Sequence, residues 1–301
     1  MSPLVRNGRL QLYPRLKNHW AQFRIGSRIA LVVLAHPAVA GNCPVPLALG
    51  PSPERLVVVV PATGQGPNEW KSFLEELKKE PRRESLAWLV FDHGITLAST
   101  GSAREVADSI SSCIQEKATA YRYEHITLIG HSIGGMLARQ AYLEASGAIP
   151  DSVSPSDPWA SKVDNILLFA SVNRGIRPEA KWWGTGANWL LRTIPHAHFV
   201  LEDLKFGSDF IADVRIAWIR YFGTSGRTPP RVVQFWGTED SVVTENDNAD
   251  LEAFSGPVLE RISGATHGNL QRLERTFTED PQARWALKSV ALACVHLTAQ
   301  K

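Results

Sequence analysis

Residues 125–142 read HITLIGHSIGGMLARQAY, and the pattern changes character at Ser132. Ile126, Thr127, Leu128 and Ile129 form a continuous run that suits a fully buried strand. Gly130-His131-Ser132-Ile133-Gly134-Gly135 follows, and then helix formers carry apolar side chains at Met136, Leu137, Ala138 and Ala141. The spacing predicts a strand that turns abruptly into a helix on the serine. Gly130 and Gly134 let neighbouring backbone approach closely, and the turn lifts the Ser132 hydroxyl clear of the sheet edge. A serine hydroxyl is a weak nucleophile at its free pKa. Its exposure has chemical meaning only if a base, an acid that orients the base, and donors for an oxyanion lie beside it. The start of the following helix offers amides and a positive dipole end to such a charge.

The base and the acid are sought downstream. After a predicted strand over 231–236 comes GTEDSVV, which places Asp240 just beyond a carboxyl end, where ligands gather in open α/β sheets. After a second predicted strand over 258–262 comes SGATHGNL, with His267 flanked by glycine. The chain order Ser132, Asp240, His267 is one of the orders in which serine triads occur. Glu239 should point away from the same loop, and Asp247 and Asp250 read as surface residues opening the next helix. His131 is expected to pack beneath the turn, His93, His196 and His198 to be ordinary solvated histidines, and His296 to be structural. For the oxyanion, the backbone N–H of Ile133 and that of Thr63, in VVVVPATGQGPNEW, are the expected donors.

Working outward, strand-like segments recur at 55–60, 86–91, 125–129, 163–170, 231–236 and 258–262, with helix-like patterns at 68–79, 102–118, 135–145 and 276–298. Alternating β and α with apolar strands predicts an α/β fold, a mostly parallel central sheet with helices on both faces. Between Asn173 and Pro230 the alternation lapses. This stretch carries Trp182, Trp183, Trp189, Phe199, Phe206, Phe210, Trp218 and Phe222, and reads as a helical cap insertion at about 173–230 or as an ordinary helical layer over the sheet.

Composition narrows the function. The chain has 301 residues, 44% hydrophobic and 21% charged, with 32 basic against 30 acidic side chains, so there is no electrostatic case for a nucleic-acid partner. Lys78, Lys79, Arg82 and Arg83 alternate with glutamates as on a solvated helix face. Cys43, Cys113 and Cys294 show no metal-binding spacing, and a zinc site or a disulfide framework is not expected. Residues 1–50 read as an N-terminal extension, with the catalytic domain over 51–301. The uncharged run after Arg28 is broken by Pro37, Pro44 and Pro46, which argues against a transmembrane span. Arg24, Arg28, the apolar stretch 29–35 and Ala38-Val39-Ala40 have the order of a secretory leader, whereas Asn42 before Cys43 does not suit a lipoprotein anchor. The alternative, an arm packed on a cytoplasmic protein, is the preferred reading. Oligomeric state is left open.

Four blocks, VVVVPATGQGPNEW, LIGHSIGGMLARQAY, VVQFWGTEDSVV and GATHGNL, together resemble the α/β-hydrolase superfamily, and within it the lipase-like serine esterases that include bacterial triacylglycerol lipases and the GPI inositol-deacylase group. ASVNRGI, 170–176, is similar to the TPxxG segment of such lipases, with Ser171-Val172 where Thr-Pro is expected. Pro61-Ala62 stands where relatives commonly carry His-Gly. The resemblance implies a serine hydrolase acting on a small-molecule or lipid ester without cofactor or metal, with Trp182 and Trp183 as candidate substrate contacts. Amide or thioester hydrolysis, and a non-catalytic binding protein on the same fold, remain the alternatives.

Overall fold

The computed structural model describes residues 36–37, 41, 43–149, 158–177, 198–223, 226–250, 258–272, 291–292 and 295. The chain divides after His36, and the main sheet belongs to the second unit, Pro37–Lys301. Its strands are β1 (Leu47–Ala48), β2 (Arg55–Val60), β3 (Leu86–Val90), β4 (His125–His131), β5 (Val163–Phe169), β6 (Arg231–Gly237) and β7 (Val258–Ile262). The spatial order is β1-β3-β2-β4-β5-β6-β7. All neighbours run parallel except the short edge strand β1, which pairs antiparallel with β3. Strands β2 and β4 lie side by side although β3 intervenes in sequence. The order therefore reverses between them, and in open α/β sheets ligands gather beyond the carboxyl ends at such a point.

The helices are α1 (Lys71–Leu77), α2 (Ala103–Tyr121), α3 (Ile133–Ala145), α4 (Val200–Asp203), α5 (Asp209–Gly223) and α6 (Glu245–Asn248). The period of two along β2 explains why both faces are covered. Leu56, Val58 and Val60 enter one core with the apolar sides of α2, α3 and α5, while Val57 and Val59 enter the other with Trp70, Phe73, Ala291, Leu292 and Val295. Every strand residue of β2 and β3 is buried, as a parallel sheet covered on both sides requires. Helix α2 starts where its sequence says it should: the Ser102 side chain accepts the Arg104 N–H at 3.1 Å and Glu105 accepts the Ser102 N–H at 3.1 Å, a capping box. Helix α3 is buried along its whole length, wedged between the sheet and the outer helices.

Three features depart from expectation. Cys43 and Cys113 form a disulfide, with their Cα atoms 5.5 Å apart, tying the segment before β1 to α2 across a separation of 70 residues. Neither spacing nor motif announces it, because the two cysteines meet only through the tertiary packing of the strands and helices between them. Strand β1 lies inside the stretch expected to be an extension. In the expected cap, α5 buries Phe210, Ile211, Val214 and Trp218 against the body, and Trp218 meets the rings of Tyr142 on α3 and Phe222 at centroid distances of 5.9 and 4.8 Å. That part of the segment is a helical layer packed on α3. Trp182, Trp183, Trp189, His196, Cys294, His296, the leader-like residues 24–35 and 38–40, and most of the expected helix 276–298 lie outside the described residues. Among the described residues no helix is long and apolar enough to cross a membrane.

Candidate active site

The turn after β4 is as tight as its glycines imply. Ser132 has φ 54° and ψ −121°, a strained conformation for a residue with a side chain, and its N–H donates to the Phe169 carbonyl at 2.9 Å. Gly134 packs flush against the end of β2: a Cβ there would sit 2.1 Å from the Val60 carbonyl oxygen and 2.4 Å from that of Pro61. Only glycine allows this approach, and it brings the first turn of α3, beginning with the buried Ile133, against the start of the loop that carries half-buried Thr63.

Two further loops close on the same point. After β6, Thr238 N–H donates to the Ile262 carbonyl at 3.1 Å and Glu239 N–H to the Ala265 carbonyl at 3.0 Å, while Gly264 N–H donates to Thr238 Oγ1 at 3.0 Å. These bonds knit the β6 and β7 loops together. Their side chains meet as a consequence: His267 Nδ1–H donates to Asp240 Oδ2 at 2.9 Å, and Ser132 Oγ–H donates to His267 Nε2 at 3.0 Å. The Asp240 side chain is fully buried, and its other oxygen accepts the N–H groups of Val242 and Val243 at 2.8 and 2.9 Å. The carboxylate is thus locked in one rotamer with a single oxygen turned to the imidazole. Glu239, the adjacent carboxylate, is exposed as expected.

Other expectations are corrected around this centre. Asp247 and Asp250 are buried, at 3% and 2% exposure. Asp247 accepts from Arg177 Nε at 2.9 Å, and Asp250 accepts from Arg215 at 3.0 Å and lies 3.8 Å from the wholly buried Arg139. These are paired charges in the layer between α3, α5 and α6, where an unpaired carboxylate would be costly. Asn173, in the lipase-like ASVNRGI block, joins that layer by donating to Gln234 Oε1 at 2.9 Å and accepting from Ser171 Oγ at 2.8 Å.

His93 is not solvated. At 1% exposure its Nε2–H donates to the Pro61 carbonyl at 3.0 Å and its Nδ1 accepts the Ile95 N–H at 3.0 Å, so burial holds its pKa below the usual value and it stays neutral. Gly64 N–H donates to the Ile95 carbonyl at 2.8 Å. Through these contacts His93 and Ile95 fix the loop that carries Thr63. His198, by contrast, is exposed and paired with Asp203.

His131 lies beneath the turn, fully buried as expected, but it does more than fill space. Its Nε2–H donates to the main-chain carbonyl of His267 at 2.9 Å, and its Nδ1 lies 2.9 Å from Gln65 Oε1. Gln65 was not singled out by the sequence; no spacing rule connects a loop glutamine to a histidine 66 positions away. Among the described residues no group of three or more His, Cys, Asp or Glu side chains could hold a metal ion.

Solved structures share this arrangement of sheet and helices. Aspergillus fumigatus lipase B superposes with a TM-score of 0.53 at 13% identity, covering 90% of this chain and 57% of that one. Phospholipase PlaB from Legionella pneumophila gives 0.55 at 13% identity, over 82% of this chain and 61% of its own. Bacillus licheniformis lipase BlEst2, in its mature form, gives 0.52 at 11% identity, over 81% and 96%. The fold is that of the α/β-hydrolases. The chain spans about three fifths of the first two proteins, and identities of 11–13% speak for the α/β-hydrolase fold alone. No protein-family model and no curated protein matches the sequence.

Proposed function

We propose that this α/β-hydrolase-fold protein is a serine hydrolase cleaving carboxylic esters through an acyl-enzyme. The observation that carries the reading is the unbroken hydrogen-bond chain from Ser132 Oγ through both nitrogens of His267 to the buried Asp240 carboxylate. In this scheme Ser132 Oγ attacks the ester carbonyl carbon while its proton passes to His267 Nε2. Asp240 keeps the other imidazole proton on Nδ1 and stabilises the imidazolium. The oxyanion is received by the N–H of Ile133 at the start of α3, helped by the helix dipole, and by the N–H of Thr63. Collapse of the tetrahedral intermediate returns the proton from Nε2 to the departing alkoxide. Water, deprotonated by the same nitrogen, then releases the acid. The solved lipases on this fold support an ester as the substrate class, and Trp182 and Trp183 are the proposed contacts for an acyl group.

A fluorophosphonate probe tests this directly, because it phosphonylates an activated serine and spares an ordinary one. Mass spectrometry of the labelled protein is expected to find the adduct on Ser132 alone, with Ser132→Ala and His267→Ala unlabelled. Turnover of a p-nitrophenyl ester series is expected to rise from acetate toward medium chains, each buried CH₂ contributing about 0.8 kcal/mol until the pocket is full. A wild-type protein that resists the probe belongs instead to the non-catalytic members of the fold.

A further inference from the structure

His131 touches the two moving parts of the proposed chemistry from below. Its Nε2 faces a carbonyl oxygen, that of His267, so the ring proton must be on Nε2 and Nδ1 must be an acceptor. Gln65 Oε1 stands 2.9 Å from Nδ1, where an acceptor nitrogen would face an acceptor oxygen. The His267 main-chain carbonyl cannot turn but a side-chain amide can, so with the ring proton on Nε2 a half-turn of the Gln65 amide brings its N–H to Nδ1. A doubly protonated ring is ruled out by the surroundings: burial first, and then the charge of neighbouring His267, push the His131 pKa down to about 3. Packing holds the ring in place as well, with Trp70 edge-on at a centroid distance of 6.4 Å and the His267 ring at 5.3 Å.

We infer that His131 is a positioning residue, a neutral strut that sets the distance between the His267 loop and the loop carrying Thr63 by bonding the His267 main chain on one side and the Gln65 side chain on the other. The inference rests on the serine-hydrolase reading. Gln65 is two residues beyond Thr63 in a turn closed by Gln65 N–H donating to the Ala62 carbonyl at 3.1 Å. A bond to its side chain therefore constrains the turn that would offer the oxyanion donor. On the other side, His131 holds the very residue whose imidazole bonds Ser132. Because Ser132 follows His131 directly, one dipeptide carries both the nucleophile and the tie that keeps base and oxyanion loop in register with it. Structural support of this kind acts on the transition state: both loops contact the reacting group, and small displacements of catalytic groups are paid for in kcat.

The test uses active-site titration with the fluorophosphonate, so that kcat refers to correctly folded enzyme only. Gln65→Met keeps the length of the side chain and removes its donor. It is expected to lower kcat about tenfold with KM within about threefold, as a shifted oxyanion donor would. His131→Phe is expected to lower kcat about a hundredfold, and the double variant should be no slower than His131→Phe, since both substitutions cut one strut. His131→Gln, whose amide nitrogen reaches the Nε2 position, should recover much of the loss. An unchanged kcat in Gln65→Met, losses that multiply in the double variant, or an effect confined to KM would each overturn the inference. If His131→Phe fails to fold, Gln65→Met decides alone, since Gln65 is only half-buried. A wild type that neither labels nor turns over sinks the hydrolase reading itself; one that labels and turns over while the variants match it sinks only the strut.

Discussion

Replacing Asp240 with asparagine should cost far more than the loss of one charge suggests, and the reason lies in how the carboxylate is held. Its Oδ1 accepts two backbone N–H groups, from Val242 at 2.8 Å and Val243 at 2.9 Å. In Asp240→Asn those donors select the amide oxygen, because an NH₂ group there would face two N–H groups with nothing to accept them. The NH₂ is then forced into the place of Oδ2, 2.9 Å from His267 Nδ1. It can only donate, so Nδ1 becomes an acceptor and the ring proton moves to Nε2, opposite Ser132 Oγ. A protonated Nε2 cannot take the serine proton. The expected fall in kcat is about 10⁴, or roughly 5.5 kcal/mol in activation free energy, with KM little changed. Steady-state hydrolysis of p-nitrophenyl butyrate checks it, with Glu239→Gln as a control expected to behave as wild type, since Glu239 is exposed beside the same loop. Asp240→Asn within tenfold of wild type would show that the imidazole tautomer is not set here and would remove Asp240 from the proposed triad.

Two other perturbations bear on the scaffold. Burial pushes the Glu144 carboxyl, on α3, up to about 8 from 4.5, with the charge of Asp108 adding to the effect. A folded pKa above the unfolded one means stability that is complete below about pH 4.5 and lost as pH rises toward 8. Glu144→Gln should therefore melt higher than wild type at pH 8 and match it near pH 4, and melting curves that stay parallel across that range would contradict the assignment. Opening the Cys43–Cys113 disulfide, which spans 70 residues, should cost about 4 kcal/mol and lower the melting temperature by about 10 °C. Alkylation without reductant should leave both of these thiols unmodified in protein from its source cells; two modified cysteines would show that the disulfide is absent there.

The sheet was legible because it is written locally, and the residues of the proposed triad were nominated from the same local signals. The central strands are short apolar runs, and Ser132, Asp240 and His267 each stand just past a strand recognised in the sequence, so chain order and strand ends suffice to nominate them. The assignments that failed concern partners distant in sequence. Asp247 and Asp250 look like surface carboxylates until the segment after β5 and helix α5 bring Arg177 and Arg215 onto them. His93 looks solvated until the loop after β2 folds over it and supplies the Pro61 carbonyl. Cys43 and Cys113 meet only once β1 has paired with β3 and α2 has packed on one face of the sheet.

The disulfide also changes the weight of the N-terminal sequence. Read alone, residues 24–40 favour neither a leader nor an arm decisively, since the basic flank is long and the apolar stretch short. A disulfide linking Cys43 to a helix of the main domain persists in secreted or periplasmic proteins and is rare in the reducing cytosol. A chain that closes this bond has reason to carry a leader, and the small-x-small sequence Ala38-Val39-Ala40 ends one residue before Gly41. At Gly41 the backbone already lies so close to Phe91 that a Cβ would stand 2.3 Å from its ring. A chain beginning there would keep its disulfide, its edge strand and every residue of the proposed active site, so N-terminal sequencing of protein from source cells should read Gly-Asn-Cys. An intact Met1 would return the segment to the reading as an arm and leave the disulfide to be explained by some other oxidant.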